Sequence, residues 1–329
     1  MKRVLFLLVC LLISSTLISL AQQQEAFKPN GKPEVRIFTS FGSTFSDGMN
    51  QNKFDVTRAY LGYIQNFSKN WTSRVTFDVG KPSVGNFHYT AFLKFAYLQY
   101  HTDKLTLYGG LIPTFQYDYG DKKWANRYVY KTSYDDYGFG TAADFGVSAA
   151  YKFSDKISLD AILINGESFR TQETDSAFKA GVGITLMPVK NLALRGYYDI
   201  MPKDGRKQQT MEYILSYENK KFNLTADYNF QKDRGYISGQ DISSISLYGY
   251  LFLKNNKQLF ARYDYLYSEE IGNAVNPWNF AKDGSLFIAG FEFSPVAGIK
   301  ISPNIQNWQP ADENRPSIFR FMLNADVKL

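Results

Sequence analysis

Phe222-Asn223-Leu224-Thr225-Ala226-Asp227-Tyr228-Asn229-Phe230 is the stretch that decides how this chain folds. Every second residue is apolar (Phe, Leu, Ala, Tyr, Phe), and the residues between are Asn, Thr, Asp and Asn. A strand sends successive side chains to opposite faces, so a period of two predicts a strand that is apolar on one side and wet on the other. The pattern recurs along the chain. In 71–79, Trp71, Ser73, Val75, Phe77 and Val79 oppose Thr72, Arg74, Thr76 and Asp78. In 178–186, Phe178, Ala180, Val182, Ile184 and Leu186 oppose Lys179, Gly181, Gly183 and Thr185; in 318–328, Phe319, Phe321, Leu323, Ala325 and Val327 form the apolar set. No amphipathic helical stretch longer than a few turns interrupts it.

Alternation alone also fits a soluble sandwich, and the connections discriminate. Short ones fall at 68–70, 102–103, 154–155, 188–190, 219–220, 255–256 and 295–297. Longer polar ones fall at 45–53, 81–88, 113–140, 167–176, 202–209, 232–240, 269–284 and 309–315. Read this way, short and long alternate throughout, giving fifteen connections and sixteen strands. The strands are expected near 34–44, 53–67, 71–80, 88–101, 104–112, 141–153, 156–166, 177–187, 191–201, 210–218, 221–231, 241–254, 257–268, 284–294, 298–308 and 315–329. A sandwich has no reason to segregate its turns by length. A transmembrane antiparallel β-barrel does, with tight periplasmic turns and long extracellular loops. One strand is irregular: both parities of 88–101 are apolar around Lys94, which predicts a β-bulge that switches register.

The N-terminus reads as an address. Lys2-Arg3 precedes an apolar run from Val4 to Ile13, and Ser19-Leu20-Ala21 supplies small residues at a cleavage site. Residues 1–21 are therefore expected to be a cleaved signal peptide, 22–33 a short periplasmic segment, and 34–329 a single barrel domain. Removing 21 of 329 residues leaves 308, takes away the only cysteine (Cys10), and lowers the net charge from +6 to +4. That excess is too small to argue for nucleic acid. The composition agrees with a barrel: 24 Tyr and 27 Phe accompany a mean hydropathy of only −0.31. Such a chain is neither disordered nor a bundle of membrane helices. Aromatics belong at the lipid-facing girdles, and polarity belongs in the lumen.

Sixteen strands leave an aqueous channel. On the inward face acids and bases are nearly balanced, so arrangement matters more than sum. Arg320, Arg36, Arg58 and Arg74 lie on the last strand and the first three, which become neighbours on closure. They are expected to form a basic stripe down one wall, Arg320 and Arg58 toward the outer mouth, that offers stepwise sites to an anion; scattered lumen charges paired with nearby acids are the alternative. The longest loop, 113–140, carries Asp118, Asp121, Asp135 and Asp136 against Lys122, Lys123, Arg127 and Lys131, and is rich in aromatics. A connection this long is functional or disordered, and its aromatics exclude disorder. It is expected to fold into the lumen as a constriction loop whose balanced charges set up a transverse field; an exposed cap is the alternative.

Several short stretches carry a resemblance. They are Phe54-Asp-Val-Thr-Arg58-Ala59-Tyr60-Leu61-Gly62-Tyr63, Ala96-Tyr97-Leu98-Gln99-Tyr100, Leu105-Thr-Leu-Tyr-Gly109-Gly-Leu-Ile-Pro113-Thr-Phe115, Asp144-Phe-Gly146-Val147 and Ile164-Asn165-Gly166-Glu167. In these the chain resembles the phosphate-selective porin O and P family of Gram-negative outer membranes. The resemblance implies a homotrimeric diffusion porin whose selectivity rests on lumenal arginines, to which Arg58 and Arg74 could belong. No lysine cluster of that family's kind is present, and Leu329 ends the chain where an aromatic is usual.

A hydrolase needs a nucleophile and base within hydrogen-bond reach, but His88 and His101 are the only histidines and no G-x-S-x-G occurs. No enzyme, cofactor or metal site is expected. A structural anchor or adhesin with an occluded barrel is the remaining alternative to a porin passing small hydrophilic solutes or anions, with outer-membrane lipid as its surroundings.

Overall fold

The computed structural model describes residues 27–80, 89–174 and 176–329. The expected leader 1–21, residues 22–26, and the connection 81–88 with His88 lie outside them. Sixteen strands run β1 Asn30–Ser46, β2 Met49–Asn66, β3 Trp71–Gly80, β4 Thr90–His101, β5 Leu105–Pro113, β6 Ala143–Ser154, β7 Ile157–Ile164 and β8 Lys179–Leu186. They continue as β9 Leu192–Lys203, β10 Arg206–Glu218, β11 Phe222–Lys232, β12 Ile242–Leu253, β13 Lys257–Ser268, β14 Gly284–Val296, β15 Ile299–Pro310 and β16 Ile318–Lys328. Each pairs antiparallel with its sequence neighbours, and β1 closes on β16 from Arg36↔Lys328 to Phe45↔Phe319. β1 starts at Asn30, four residues earlier than expected, because Asn30 to Pro33 pair with Asn66 to Tyr63 of β2.

Burial along β11 shows which way the wall faces. Asn223, Thr225, Asp227, Asn229 and Gln231 are buried inside the closed cylinder, whereas Leu224 is 60% exposed. The polar set points in and the apolar set points out. A soluble core would be the reverse.

Two connections read as long loops are tight hairpins. β1 and β2 are joined by Asp47-Gly48, with Ser46 opposite Met49; β9 and β10 are joined by Asp204-Gly205, with Lys203 opposite Arg206. All four turn residues have φ between 49° and 75°. Asp-Gly is the sequence signal for such a two-residue turn, because both positions need positive φ. The polar residues around it (Asn50, Gln51 and Asn52 in one case, Arg206, Lys207 and Gln208 in the other) continue the ladder instead of leaving it. Long and short connections therefore do not alternate without exception.

The bulge expected near Lys94 is there. Thr76 pairs with Phe95 and Phe77 with Leu93, so Lys94 is the extra residue of β4. Lys94 and Phe95 are both buried, while Leu93 and Leu98 face out. The inserted residue lets an apolar strand switch parity and take its ammonium inside.

The recurring short motifs fall into contacting pairs. Gly110 sits opposite Tyr97 with φ +118°, and a Cβ there would stand 2.5 Å from the Ala96 carbonyl oxygen. Gly146 lies opposite Ile164, and the Asp144 carboxylate accepts from the Gly166 amide at 3.0 Å and the Ser168 amide at 3.1 Å. Asp144 thereby ties the connection after β7 to β6. Gly146 has φ +155°, and its Cβ would meet the Leu163 oxygen at 2.2 Å. Gly146→Ala is expected to cost on the order of 2 kcal/mol or more, read as a lower urea midpoint for the folded barrel. Gly109→Ala, where an added Cβ meets nothing within 4 Å, leaves that midpoint within ~0.5 kcal/mol of the parent.

Candidate functional site

The connection from β5 to β6 packs against the polar, inward side chains of β9 to β16. It contains α1 (Phe115–Trp124) and α2 (Ser133–Asp136). Asp118 in the first turn of α1 and Lys122 and Lys123 in the last suit the helix dipole, and Ala125 ends the helix with φ 44°. The Thr132 hydroxyl caps α2 by accepting from the Asp135 amide at 3.3 Å.

Trp124 is the anchor. It is fully buried, with Tyr248, Tyr250 and Phe260 at ring distances of 5.5 to 6.1 Å and the Arg262 guanidinium over its face at 4.9 Å. The Tyr250 hydroxyl donates to the Trp124 carbonyl and Arg262 donates to that of Lys131. Further along, Tyr128 donates to Glu292 at 2.8 Å, Ser133 to Asp227 at 3.3 Å and Tyr137 to Asp264 at 3.1 Å. The Asn324 amide reaches the Tyr128 carbonyl at 3.1 Å, and Arg195 reaches the Gln116 side chain at 2.9 Å. The segment thus occupies wall carboxylates Asp227, Asp264 and Glu292. Sequence reasoning missed these anchors. A lone tryptophan in a polar loop, and Arg262 with Asp264 at i, i+2 on an inward face, were the available signals.

Within the segment the eight charged candidates pair almost entirely among themselves. Asp118 accepts from Lys122 at 2.5 Å, Arg127 lies between Asp135 at 2.9 Å and Asp121 at 3.6 Å, and Lys131 faces Asp136 at 3.9 Å. Lys123 instead reaches Glu218, at 3.8 Å. Burial lifts the Asp121 and Asp136 carboxyls above the ordinary carboxylate range, against the pull of Arg127 on the first and Lys131 on the second. Burial pushes the Asp135 carboxyl up as well, but Arg127 and Lys131 outweigh it and hold the group below that range.

The four arginines of the expected stripe stand at successive levels along β1. Arg74 is opposite Ile64, which is opposite Lys32; Arg36 is on β1 itself; Arg58 is opposite Phe38 and Arg320 opposite Thr44. Three of them hold carboxylates. Arg36 makes two bonds to Asp326 at 2.9 and 2.8 Å, Arg58 pairs with Asp78, and Arg74 with Glu34. Arg320 makes no side-chain hydrogen bond or ion pair among the described residues.

Some of the pairs are oriented; Arg74–Glu34, at 22% against 25%, is not. The side-chain exposure of cation against carboxylate is 33% against 6% for Arg36–Asp326, 18% against 0% for Arg58–Asp78, and 56% against 10% for Lys53–Asp55. Arg58 and Arg320 come together with Lys53, Arg127 and Lys131 around a cavity of about 370 Å³, which Asp55 and Asp136 also line. Arg36 and Arg74 do not line it. Beside it, the Lys94 ammonium sits 4.7 Å over the Tyr60 ring, and Arg170 lies 4.6 Å over Phe92. Among the described residues no group of three His, Cys, Asp or Glu side chains is placed to hold a metal ion.

By sequence the chain matches no protein-family model and no curated relative. By structure it resembles solved barrels of outer membranes. Pseudomonas putida OprB has 7% identity and TM-score 0.70, over 91% of this chain and 94% of that one. The trimer form of OmpT, an outer membrane protein of Vibrio cholerae, has 12% identity and TM-score 0.61, over 92% and 100%. An anion-selective porin from Comamonas acidovorans has 11% identity and TM-score 0.61, again over 92% and 100%. At such identities the likeness is one of fold: a closed sixteen-stranded antiparallel β-barrel of the kind that outer-membrane porins have.

Proposed function

We propose that this chain is a passive outer-membrane channel for small hydrophilic solutes, weakly selective for anions, that works as a homotrimer in a Gram-negative envelope. The orientation of the lumenal ion pairs carries the selectivity. Each of Arg36–Asp326, Arg58–Asp78 and Lys53–Asp55 is formally neutral, but its cationic end is the one exposed. A solute in the passage meets the positive ends of these dipoles, with the carboxylates behind them in the wall. The 370 Å³ chamber adds net charge of the same sign, with five bases against two acids. An exposed apolar wall and a buried polar one fit lipid outside and water inside. The anion-selective porin and the OmpT trimer among the structural neighbours agree with selectivity and assembly. The phosphate preference implied by the sequence resemblance would rest on this same basic wall.

The channel reading is tested in planar bilayers. Purified protein should give stepwise openings and, in a salt gradient, a reversal potential of anionic sign. Arg58→Gln with Arg320→Gln should move that potential toward zero while openings persist. An absence of steps would favour the occluded anchor, and clear cation preference in the parent would remove the anion reading.

The inward segment should set the width. Trp124→Ala removes the buried ring, at a local cost of about 3–5 kcal/mol, and with it the contacts to Tyr248, Tyr250, Phe260 and Arg262, so that the segment keeps only its backbone and remaining side-chain bonds to the wall. Single-channel conductance should rise and become noisier. Unchanged conductance would mean that the segment does not lie in the conducting path.

Acidity should sharpen selectivity. As the pH falls toward the carboxylate range, Asp121 and Asp136 take up protons before Asp135, because their carboxyls are lifted and that of Asp135 is held low. Loss of two negative charges beside Arg127 and Lys131 increases anion preference. The Asp121→Asn and Asp136→Asn double variant should move the neutral-pH reversal potential toward the parent's acid value and show a shallower pH profile than the parent.

A further inference from the structure

The apolar outer wall bears a groove that its backbone does not demand. Gly196 of β9 has no left-handed φ, and an added Cβ would make only ordinary contacts, with Ile184 at 3.8 Å and Tyr213 at 3.9 Å. Nothing in its conformation or its surroundings requires glycine. Its missing side chain opens a groove of about 570 Å³ between Ile184, Leu194, Tyr213, Ala226 and Tyr228. A second groove of about 490 Å³ shares Ile184, Gly196 and Tyr213 and runs on past Ala161 to Tyr198.

Above these grooves, toward the long-loop end, the outward face carries two lysines. Alternation places Lys207 on the outer face of β10 with Met211 and Tyr213, and Lys232 on the outer face of β11 with Tyr228 and Phe230. Both are exposed, and neither makes an ion pair or side-chain hydrogen bond among the described residues. No other strand of the described barrel puts a lysine or arginine on its outer face at this end. Gln209 lies directly opposite Lys232. Its side-chain oxygen accepts from the Tyr198 hydroxyl at 2.8 Å, and its amide nitrogen donates no hydrogen bond among the described residues, which leaves it as a third donor. Lys232 is four residues beyond Tyr228, about 13 Å along the strand, which at the roughly 40° tilt of barrel strands raises it about 10 Å toward the edge of the hydrocarbon.

We infer that the outer faces of β9, β10 and β11 form a binding site for a phosphate-bearing, acylated lipid of the outer leaflet, with an acyl chain in the Gly196 groove and a phosphate on Lys207, Lys232 and the Gln209 amide. The inference rests on the membrane reading of the barrel. Its chemistry is that of the interface: apolar chain burial contributes below the girdle, and charge-assisted hydrogen bonds to phosphate contribute where the aromatic band meets water. Two unpaired cations on adjacent strands are placed for one phosphate group. A lysine that merely reached for the water layer would need neither a second lysine nor a groove beneath it.

Native mass spectrometry of the full barrel in detergent, titrated with lipid A, tests this. One lipid per chain should bind at low excess. Lys207→Gln with Lys232→Gln should weaken binding at least tenfold, as should removal of both phosphates from the lipid, and the two losses should not add. Gly196→Leu, which fills the groove, should weaken the phosphorylated and phosphate-free lipids alike. Inorganic phosphate at millimolar concentration should not compete; if it does, the lysines form a free-anion site and the lipid assignment falls. Equal binding by the double variant and the parent also overturns it. Single-channel conductance separates the two readings. Normal openings from the lysine variant show an intact barrel, whereas a parent that neither inserts nor conducts defeats the membrane reading itself.

Discussion

A backbone amide in hydrocarbon has no partner except another strand. That constraint organises the whole molecule, because it forces β1 to find β16 and leaves no open edge. Once the sheet is closed, the period-two sequence has two unequal sides. The convex side must be apolar because it meets lipid. The concave side can be polar because a cylinder of this strand number encloses water. The burial along β11, with Asp227 buried and Leu224 exposed, follows from closure and not from any property of those residues taken singly. Closure also explains the bulge at Lys94. A strand whose apolar run breaks phase can keep its ladder only by inserting a residue, and the insertion takes the ammonium to the lumen.

Most of this was legible in the residues. Alternation located all sixteen strands because each side of the wall demands one kind of side chain. The errors lie where that demand lapses. Beyond the lipid boundary both faces of a hairpin are wet, so Asn50 to Asn52 and Arg206 to Gln208 carry no alternation, although they remain in strands. There only turn chemistry speaks, and Asp47-Gly48 and Asp204-Gly205 mark the turns where polarity alone suggests a loop. The candidate site was less legible for a different reason. Arg36 is 290 residues from Asp326, and Tyr128 is 164 from Glu292. Such pairs depend on register across the closing seam and on where a long segment comes to rest, and local pattern encodes neither. The arginines could be placed on one wall; the carboxylates that meet them could not.

The segment between β5 and β6 meets the polar side of the wall with its charges already matched. Its own charges are matched within it, Asp118 with Lys122 and Arg127 with Asp121 and Asp135. What it presents to the wall is therefore mainly neutral: Trp124, the hydroxyls of Tyr128, Ser133 and Tyr137, and backbone carbonyls. Neutral donors can cover wall carboxylates such as Asp227, Asp264 and Glu292 without importing unpaired charge. An ionic segment docked on the same wall would have to desolvate each charge against an exact counterpart.

That division of labour bears on selectivity. Net charge is a poor guide to what a passing ion feels, since each lumenal arginine of the β1 to β3 wall has its acid. Position within the pair decides the field near the wall. Asp78 is fully buried while Arg58 remains partly exposed, and Asp326 lies behind Arg36 in the same way. A buried carboxylate acts on the lumen through low-dielectric protein and through its own guanidinium, which stands between it and the water. At separations shorter than the ~8 Å screening length of physiological salt, an ion hugging this wall meets the nearer charge first. On the opposite wall Asp264 pairs with Arg262 and Glu292 with Lys300, and the segment's hydroxyls add a further bond to each. The proposed preference for anions therefore rests on three pairs, Arg36–Asp326, Arg58–Asp78 and Lys53–Asp55, in which the cation is turned toward the water and the carboxylate toward the protein.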